Sequence, residues 1–252
     1  MVDVASGRPP LSWQEPVWEP PANVHSRVTA RAGGISEGVY GSLNLALHVG
    51  DQPEHVAFNR QLLQREIGLP GTPAWLTQVH GTDIHIPSNQ VFSSPAPASV
   101  IQADAAFCQT SGQVLAIMVA DCLPILLCSR DGREIAAVHA GWRGLALGII
   151  GQVVSRFESS DLLAWLGPAI GPCHYEVDTQ VRSRFQDDTG FGVGRDSQHW
   201  MLDLYAIARL QLQQAGVGTV SGGGQCTYCN PAYYSYRRDG VTGRMATLIW
   251  RD

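Results

Sequence analysis

His80, Cys122 and His139 lie in three short Gly- or Pro-marked segments, Thr-Gln-Val-His-Gly-Thr, Ala-Asp-Cys-Leu-Pro and Val-His-Ala-Gly-Trp-Arg-Gly, each following an apolar stretch. Two imidazoles and one thiolate form a zinc ligand set. Three protein ligands leave one corner of a tetrahedral ion open for water or substrate, the arrangement of a catalytic site rather than a structural one. The chain therefore reads as a metalloenzyme with this trio as its metal ligands.

Two of the three can be brought together from the sequence. Apolar runs at residues 125–128 and 134–138 flank Asp131-Gly132, and Asp-Gly between such runs signals a two-residue hairpin turn. With that turn Cys122 falls opposite Gly141. His139, two residues from Gly141, then points to the same face as Cys122, about 7–8 Å away on the diagonal. Pro124 restricts where this strand can begin, because proline is confined to strand ends and edges. No such argument places His80.

Other residues could complete the site. Asp121 precedes a ligand and suits either a supporting hydrogen bond behind the metal or a general base. Arg143 lies four residues from His139 and is a candidate contact for an anion. Arg31 and Arg60, with Ser42 and Asn44 as hydrogen-bonding partners, are candidate substrate-binding residues. Arg237-Arg238 reads as a solvated turn. The histidines outside the trio, His48 and His174 among them, read as structural. Cys226-Thr-Tyr-Cys229 is a lone Cys-x-x-Cys with no second pair at zinc-ribbon spacing, preceded by Ser-Gly-Gly-Gly and followed by Asn-Pro. It reads as a loop holding two reduced, catalytically dispensable cysteines.

Composition limits the chemistry further. All 17 basic residues are arginine, so Schiff-base lysines, lysine bases and a Walker-type phosphate loop are excluded. Any phosphate must meet arginine, histidine, hydroxyls or backbone N–H groups. The formal charge of −5 argues against a general nucleic-acid or anionic-membrane binder and favours a small substrate. No apolar run approaches the ~20 residues that span a bilayer, and the first residues lack a signal-peptide core. A cytoplasmic, monomeric protein is the expectation.

The elements that must position these residues follow from periodicity and punctuation. Residues 1–22, rich in Pro and Trp, read as a surface arm, and residues 23–252 as a single metal-dependent catalytic domain. Strands are expected at residues 24–31, 74–79, 114–119, 162–166 and 245–250, besides the hairpin. Helices are expected at residues 53–67 with Asp51 as cap, 145–157, 176–185, and from Asp203 to Ala215. Residues 88–99 form a polar, Pro-containing connector. Interleaved strands and helices with embedded antiparallel hairpins make an α/β or α+β single domain, a mixed β-sheet with flanking helices.

The three ligand motifs occur together with Gly-Val-Tyr-Gly-Ser-Leu-Asn-Leu, Ile-Gly-Pro-Cys-His-Tyr-Glu-Val and Tyr-Arg-Arg-Asp-Gly-Val-Thr-Gly-Arg. In this order they resemble the laccase-domain family of purine nucleoside phosphorylases, formerly labelled polyphenol oxidases, over residues 26–251. The resemblance implies zinc on His80, Cys122 and His139, with Cu2+ as the alternative metal. It also implies purine nucleosides and phosphate as substrates: phosphorolysis of adenosine, inosine, guanosine and methylthioadenosine, and deamination of adenosine. Copper-dependent phenol oxidation and peptidoglycan precursor editing are the alternatives that the family carries. An open zinc site suits deamination, because it lowers the pKa of water to about 7. Phosphorolysis instead needs cationic contacts for phosphate, for which Arg143 and Arg31 are the choices. A multicopper oxidase clusters its metals through His-x-His pairs, and none of the eight histidines forms one.

Overall fold

The computed structural model describes residues 10–87 and 101–252. Its frame is a pair of stacked sheets. One is antiparallel, with β1 (Trp13–Gln14), β2 (Val24–Thr29), β13 (Met245–Arg251) and β5 (Leu115–Val119) in that order. The other is mixed and six-stranded: β12 (Thr219–Gly222), β8 (Leu162–Leu166), β6 (Leu123–Ser129), β7 (Ile135–Ala140), β4 (Ala105–Cys108) and β3 (Ile84–His85). Its outer pairs β12–β8 and β3–β4 are parallel and its inner pairs antiparallel. A small antiparallel sheet of β10 (Phe191–Val193), β11 (His199–Leu202) and β9 (Glu176–Asp178) flanks them.

Period-two alternation builds three apolar layers from these strands. Leu126, Cys128, Ile135 and Ala137 face Leu115, Ile117, Val119, Met245 and Ile249 between the sheets. The alternate residues Ile125, Leu127, Ala136 and Val138 face helices α2 (Trp142–Ala146), α3 (Ile149–Val154) and α5 (Leu204–Gln214). On the far side, Ala116, Met118, Ala246 and Leu248 meet Leu43, Leu45 and α1 (Pro53–Ile67). This is the expected single-domain mixed α/β architecture. The N-terminal segment from Pro10 adds an edge to β2 through Trp13–Gln14, and the Trp18 indole donates to Ser26 Oγ. Among the described residues no helix is long and apolar enough to cross a membrane. The connector at residues 88–99 falls outside the described residues.

The hairpin has the expected register, with Leu123 opposite Ala140 and Pro124 opposite His139. Its turn is longer than Asp131-Gly132 alone. Ser129 and Glu134 close the ladder, and Ser129 Oγ accepts from the backbone N–H groups of Arg133 and Glu134. Lengthening a loop by one residue on each side leaves the pairing sum unchanged, so the site geometry survives. Pro124 is tolerated because it is the second residue of β6.

Several expected elements differ, each for a local reason. Residues 74–79 make only isolated bridges, because the N–H groups of Val79, His80 and Gly81 go to the Asp104 carboxylate instead of a ladder. The helix expected over 145–157 is two short ones, broken at Gly148, whose φ of 76° is left-handed. Residues 176–178 pair with β11 before Asp178 caps the short α4 (Thr179–Arg182). Asp51 does not cap α1; its Oδ2 accepts from Ser36 Oγ and Asn44 Nδ2, and Gln52 is the N-terminal boundary.

Asp203 does cap α5, accepting from the N–H groups of Tyr205 and Ala206. Asp203→Ala is expected to lower unfolding stability by about 1 kcal/mol. Urea denaturation measures it, and an unchanged midpoint would show that the cap contributes nothing.

Candidate metal centre and its cavity

The trio converges. One ligand atom from each of His80, Cys122 and His139 lies within 4.8 Å of the others. Cys122 Sγ is 3.6 Å from His80 Nε2. A tetrahedral zinc with ligands at about 2.3 Å (S) and 2.0–2.1 Å (N) requires ~3.5 Å between them, so the spacing fits the ion. The donor set, one soft thiolate and two imidazoles, suits zinc and also copper.

His80 sits on a left-handed backbone, φ 63°, and so does Asp121, φ 91°. Side-chain-bearing residues adopt this region seldom, and at metal and catalytic sites it is over-determined by surrounding bonds. For His80 the bonds are explicit. The Gln78 side chain pairs with both backbone groups of Met118 at 2.8 Å, tying the loop to β5. Asp104 then gathers the next three backbone N–H groups. Gly141, opposite Cys122, leaves room for the trio: a Cβ there would lie 3.0 Å from Cys122 Sγ and 3.2 Å from the His80 ring, tight contacts that would press on both side chains.

Asp104 is the residue that sequence reasoning missed. It is fully buried and accepts from His139 Nδ1 at 2.8 Å, which leaves Nε2 as the ligand atom. Burial alone would raise the Asp104 carboxyl, but the bonds from His139, Gly81 and His80 outweigh it and lower it. The one legible signal was a carboxylate inside the otherwise apolar Ala103 to Cys108 stretch, since a buried Asp needs partners.

Electrostatics ready the trio for a cation. Burial pushes the Cys122 thiol up, yet His139 and His80 more than offset it and hold it at about 6. Burial pulls His139 down, and the Cys122 thiolate and Asp104 raise it to about 9. Cys122 and His139 thus favour each other's charged forms, and a metal held here would take the place of the His139 proton.

The trio opens into a cavity of about 480 Å³. Arg143, Arg237 and Arg244 line it, with Tyr175, Tyr236 and Trp142. Arg143 stacks over Trp142 at 4.5 Å and has no carboxylate partner among the described residues. Arg237, read from the sequence as a solvated turn, instead stacks over Tyr175 at 4.9 Å. Arg238 is the structural member of the pair, donating to the carbonyls of Thr227, Tyr228 and Tyr233. His48 also reaches the cavity; burial, then Arg244, Arg60 and His139, lower its pKa. Asp121 is the sole carboxylate among the described lining residues, and both its oxygens are engaged, one by Thr227 Oγ1 and one by Arg237 N, each at 2.6 Å.

The other expected substrate contacts lie outside this cavity. Arg31 donates to Gly41 O and stacks over Tyr234. Ser42 Oγ accepts from the backbone of Gly33 and Gly34. Arg60 stacks over Trp75 and donates to Leu45 O, reaching the cavity wall only through the Met118 sulfur. Asn44 is fully buried and spends its amide on Ala46, Asp51 and the backbone N–H of Arg244, so it acts on the cavity through Arg244. These four residues carry polar side chains because they tie irregular backbone together.

Fold and site together define a protein that presents three metal-ligating side chains to an open, cationic cavity. The chain belongs to the multi-copper polyphenol oxidoreductase laccase family, whose sequence model matches residues 25–252. Purine nucleoside phosphorylase YfiH of Escherichia coli K12 is 44% identical over 241 residues, covering 93% of this chain and 97% of that protein. A purine nucleoside phosphorylase of Pseudomonas aeruginosa is 42% identical over 247 residues, covering 95% and 98%. Among solved structures, Neisseria meningitidis protein NMB0706 matches with a TM-score of 0.87 at 42% identity, covering 96% of this chain and 99% of that one. YlmD of Geobacillus stearothermophilus matches at 0.85 and 32% identity, with the same coverage.

Asp104→Ala is expected to weaken metal binding by about 10–100-fold, because His139 loses its orienting acceptor. Competition with a chromophoric chelator measures it. Unchanged affinity in the folded variant would remove Asp104 from the site.

Proposed function

We propose that the chain is a zinc-dependent purine nucleoside phosphorylase, cleaving adenosine, inosine, guanosine and methylthioadenosine, with deamination of adenosine as a second activity of the same cavity. One observation carries the reading: a three-ligand set opens onto a cavity walled by guanidinium groups and aromatic rings. The names of the relatives supply the substrate class.

His80, Cys122 and His139 would hold the metal, which when bound supplies a Lewis acid able to polarise water or a phosphate oxygen. Phosphorolysis joins a phosphate oxygen to ribose C1′ and breaks the C1′–N9 bond, whose electron pair leaves with the purine. Arg143 offers the anion a guanidinium with no carboxylate partner among the described residues, and Arg244, also lining the cavity, adds a second charge. Tyr236, 60% exposed and with the Arg244 guanidinium 5.9 Å from its ring centroid, offers an aromatic surface on which a purine can stack, while Tyr175 is more closely covered by Arg237 at 4.9 Å. Asp121 positions: it fixes the turn before Cys122 and the backbone of Arg237. Deamination draws on the same purine pocket, with water replacing the amine at C6 and ammonia leaving.

The ligand set also suits copper, so the test carries an arm for phenol oxidation. Metal-defined protein incubated with adenosine and phosphate is expected to yield adenine and ribose 1-phosphate, and inosine more slowly without phosphate. Both products are expected to vanish in His139→Ala. Arg143→Ala should depress phosphorolysis at least about tenfold more than deamination, because only the former binds phosphate as reactant. Equal losses would assign Arg143 to the nucleoside or the metal loop. Absence of both products from zinc-loaded protein, with oxygen uptake by copper-loaded protein and a phenol, would replace this reading by the oxidase.

A further inference from the structure

Cys226-Thr-Tyr-Cys229 does not stand alone in the folded chain. The turn Gly171-Pro172-Cys173-His174, closed by the His174 N–H to Gly171 O bond, brings a thiol and an imidazole against it. Three sulfurs and one ring nitrogen, from Cys173, Cys226, Cys229 and His174, all lie within 4.8 Å of one another. We propose that this Cys3His group binds a structural zinc ion, distinct from the one at the cavity, and pins the 171–178 segment to the 225–230 loop.

The spacing matches the ion. A tetrahedral zinc places thiolate sulfurs ~3.8 Å apart and a sulfur ~3.5 Å from an imidazole nitrogen. Cys173 Sγ is 3.7 Å from Cys226 Sγ and 3.7 Å from Cys229 Sγ. His174 Nδ1 is 3.3 Å from both Cys173 Sγ and Cys229 Sγ. A disulfide would draw two sulfurs to ~2.05 Å, and all of these cysteines are free. Four protein ligands close the coordination sphere, the arrangement of a structural site, in contrast to the three-ligand trio.

The surroundings hold the donors in place. The His174 ring stacks on Tyr228 with centroids 4.0 Å apart and planes 14° from parallel, which fixes the direction of Nδ1. The Gly171 N–H donates to Cys226 Sγ at 3.2 Å, a bond that stabilises a thiolate. A Cβ at Gly171 would come within 3.2 Å of Cys226 Cβ and 3.4 Å of Cys173 Sγ, so the two segments are packed closely at this glycine. Both segments lead to the cavity. Tyr175 follows His174, and Thr227, within the Cys-x-x-Cys loop, donates to Asp121, the residue before Cys122.

Metal-stripped, reduced full-length chain titrated with Co2+ is the test. The wild type is expected to take two equivalents, and Cys122→Ala and the double variant Cys226→Ser/Cys229→Ser one each. Thiolate-to-cobalt charge-transfer absorption scales with the number of thiolate ligands. About three-quarters should therefore persist in Cys122→Ala, and the band of one thiolate in the double variant if it folds. A single equivalent in the wild type that is lost in Cys122→Ala, no thiolate band in Cys122→Ala, or a Cys226–Cys229 disulfide by mass spectrometry of the native protein would overturn the site, whereas a single equivalent retained in Cys122→Ala would assign it to the Cys3His group. The first two readings do not need the double variant to fold. None depends on nucleoside turnover, so failure of the phosphorylase reading leaves them unmoved.

Discussion

The Asp104 carboxylate is the constraint around which the metal site forms. A fully buried charge without partners costs several kcal/mol, so its donors must assemble for the chain to fold. Those donors are the N–H groups of Val79, His80 and Gly81 and the Nδ1 of His139. Backbone bonds reinforce the arrangement, with His139 N donating to Asp104 O and Asp104 N to Asp83 O. Satisfying one anion therefore draws a loop and a strand end together, and with them two of the three candidate metal ligands. The third, Cys122, is placed by the register of the adjoining strand, with Asp121 holding the turn before it.

That register is possible because the hairpin lies at the centre of the mixed sheet with both faces covered. A slip of one residue would exchange the layer between the sheets for the layer under the helices, so slippage is penalised along the whole ladder. His139 and Cys122 inherit this rigidity. Beyond the end of the hairpin ladder, Cys122 and His139 line the cavity together with His80.

The cavity wall is built differently. Arg244, Arg237 and Tyr236 come from the segment before β13, and it is held by buried polar groups rather than by a ladder. Asn44 binds the Arg244 backbone, Asp121 binds that of Arg237, and Ser235 Oγ accepts from Arg238 N. Polar residues 31–60 that resemble substrate contacts serve this scaffold. Irregular backbone must satisfy its N–H and C=O groups somewhere, and side-chain amides and hydroxyls do so here. The cationic lining thus depends on a network remote in sequence; Tyr175 adds to it from the 171–178 segment, and Thr227 supports it from behind through Asp121.

Whatever depends on short-range pattern was legible in the sequence: the hairpin register that sets His139 beside Cys122, α1 and its stop at Gly68, the Asp203 cap, and β8. Alternation, turn residues and caps act between near neighbours, so residue order alone carries them. Tertiary structure decided the rest. Asp104 and the Gln78 clamp act across long stretches of chain, the exposed Arg237 lies over Tyr175 from a segment some sixty residues away, and Cys226 and Cys229 acquire Cys173 and His174 only by folding. A spacing rule cannot pair such groups, because their separation is set by how two layers and their loops pack.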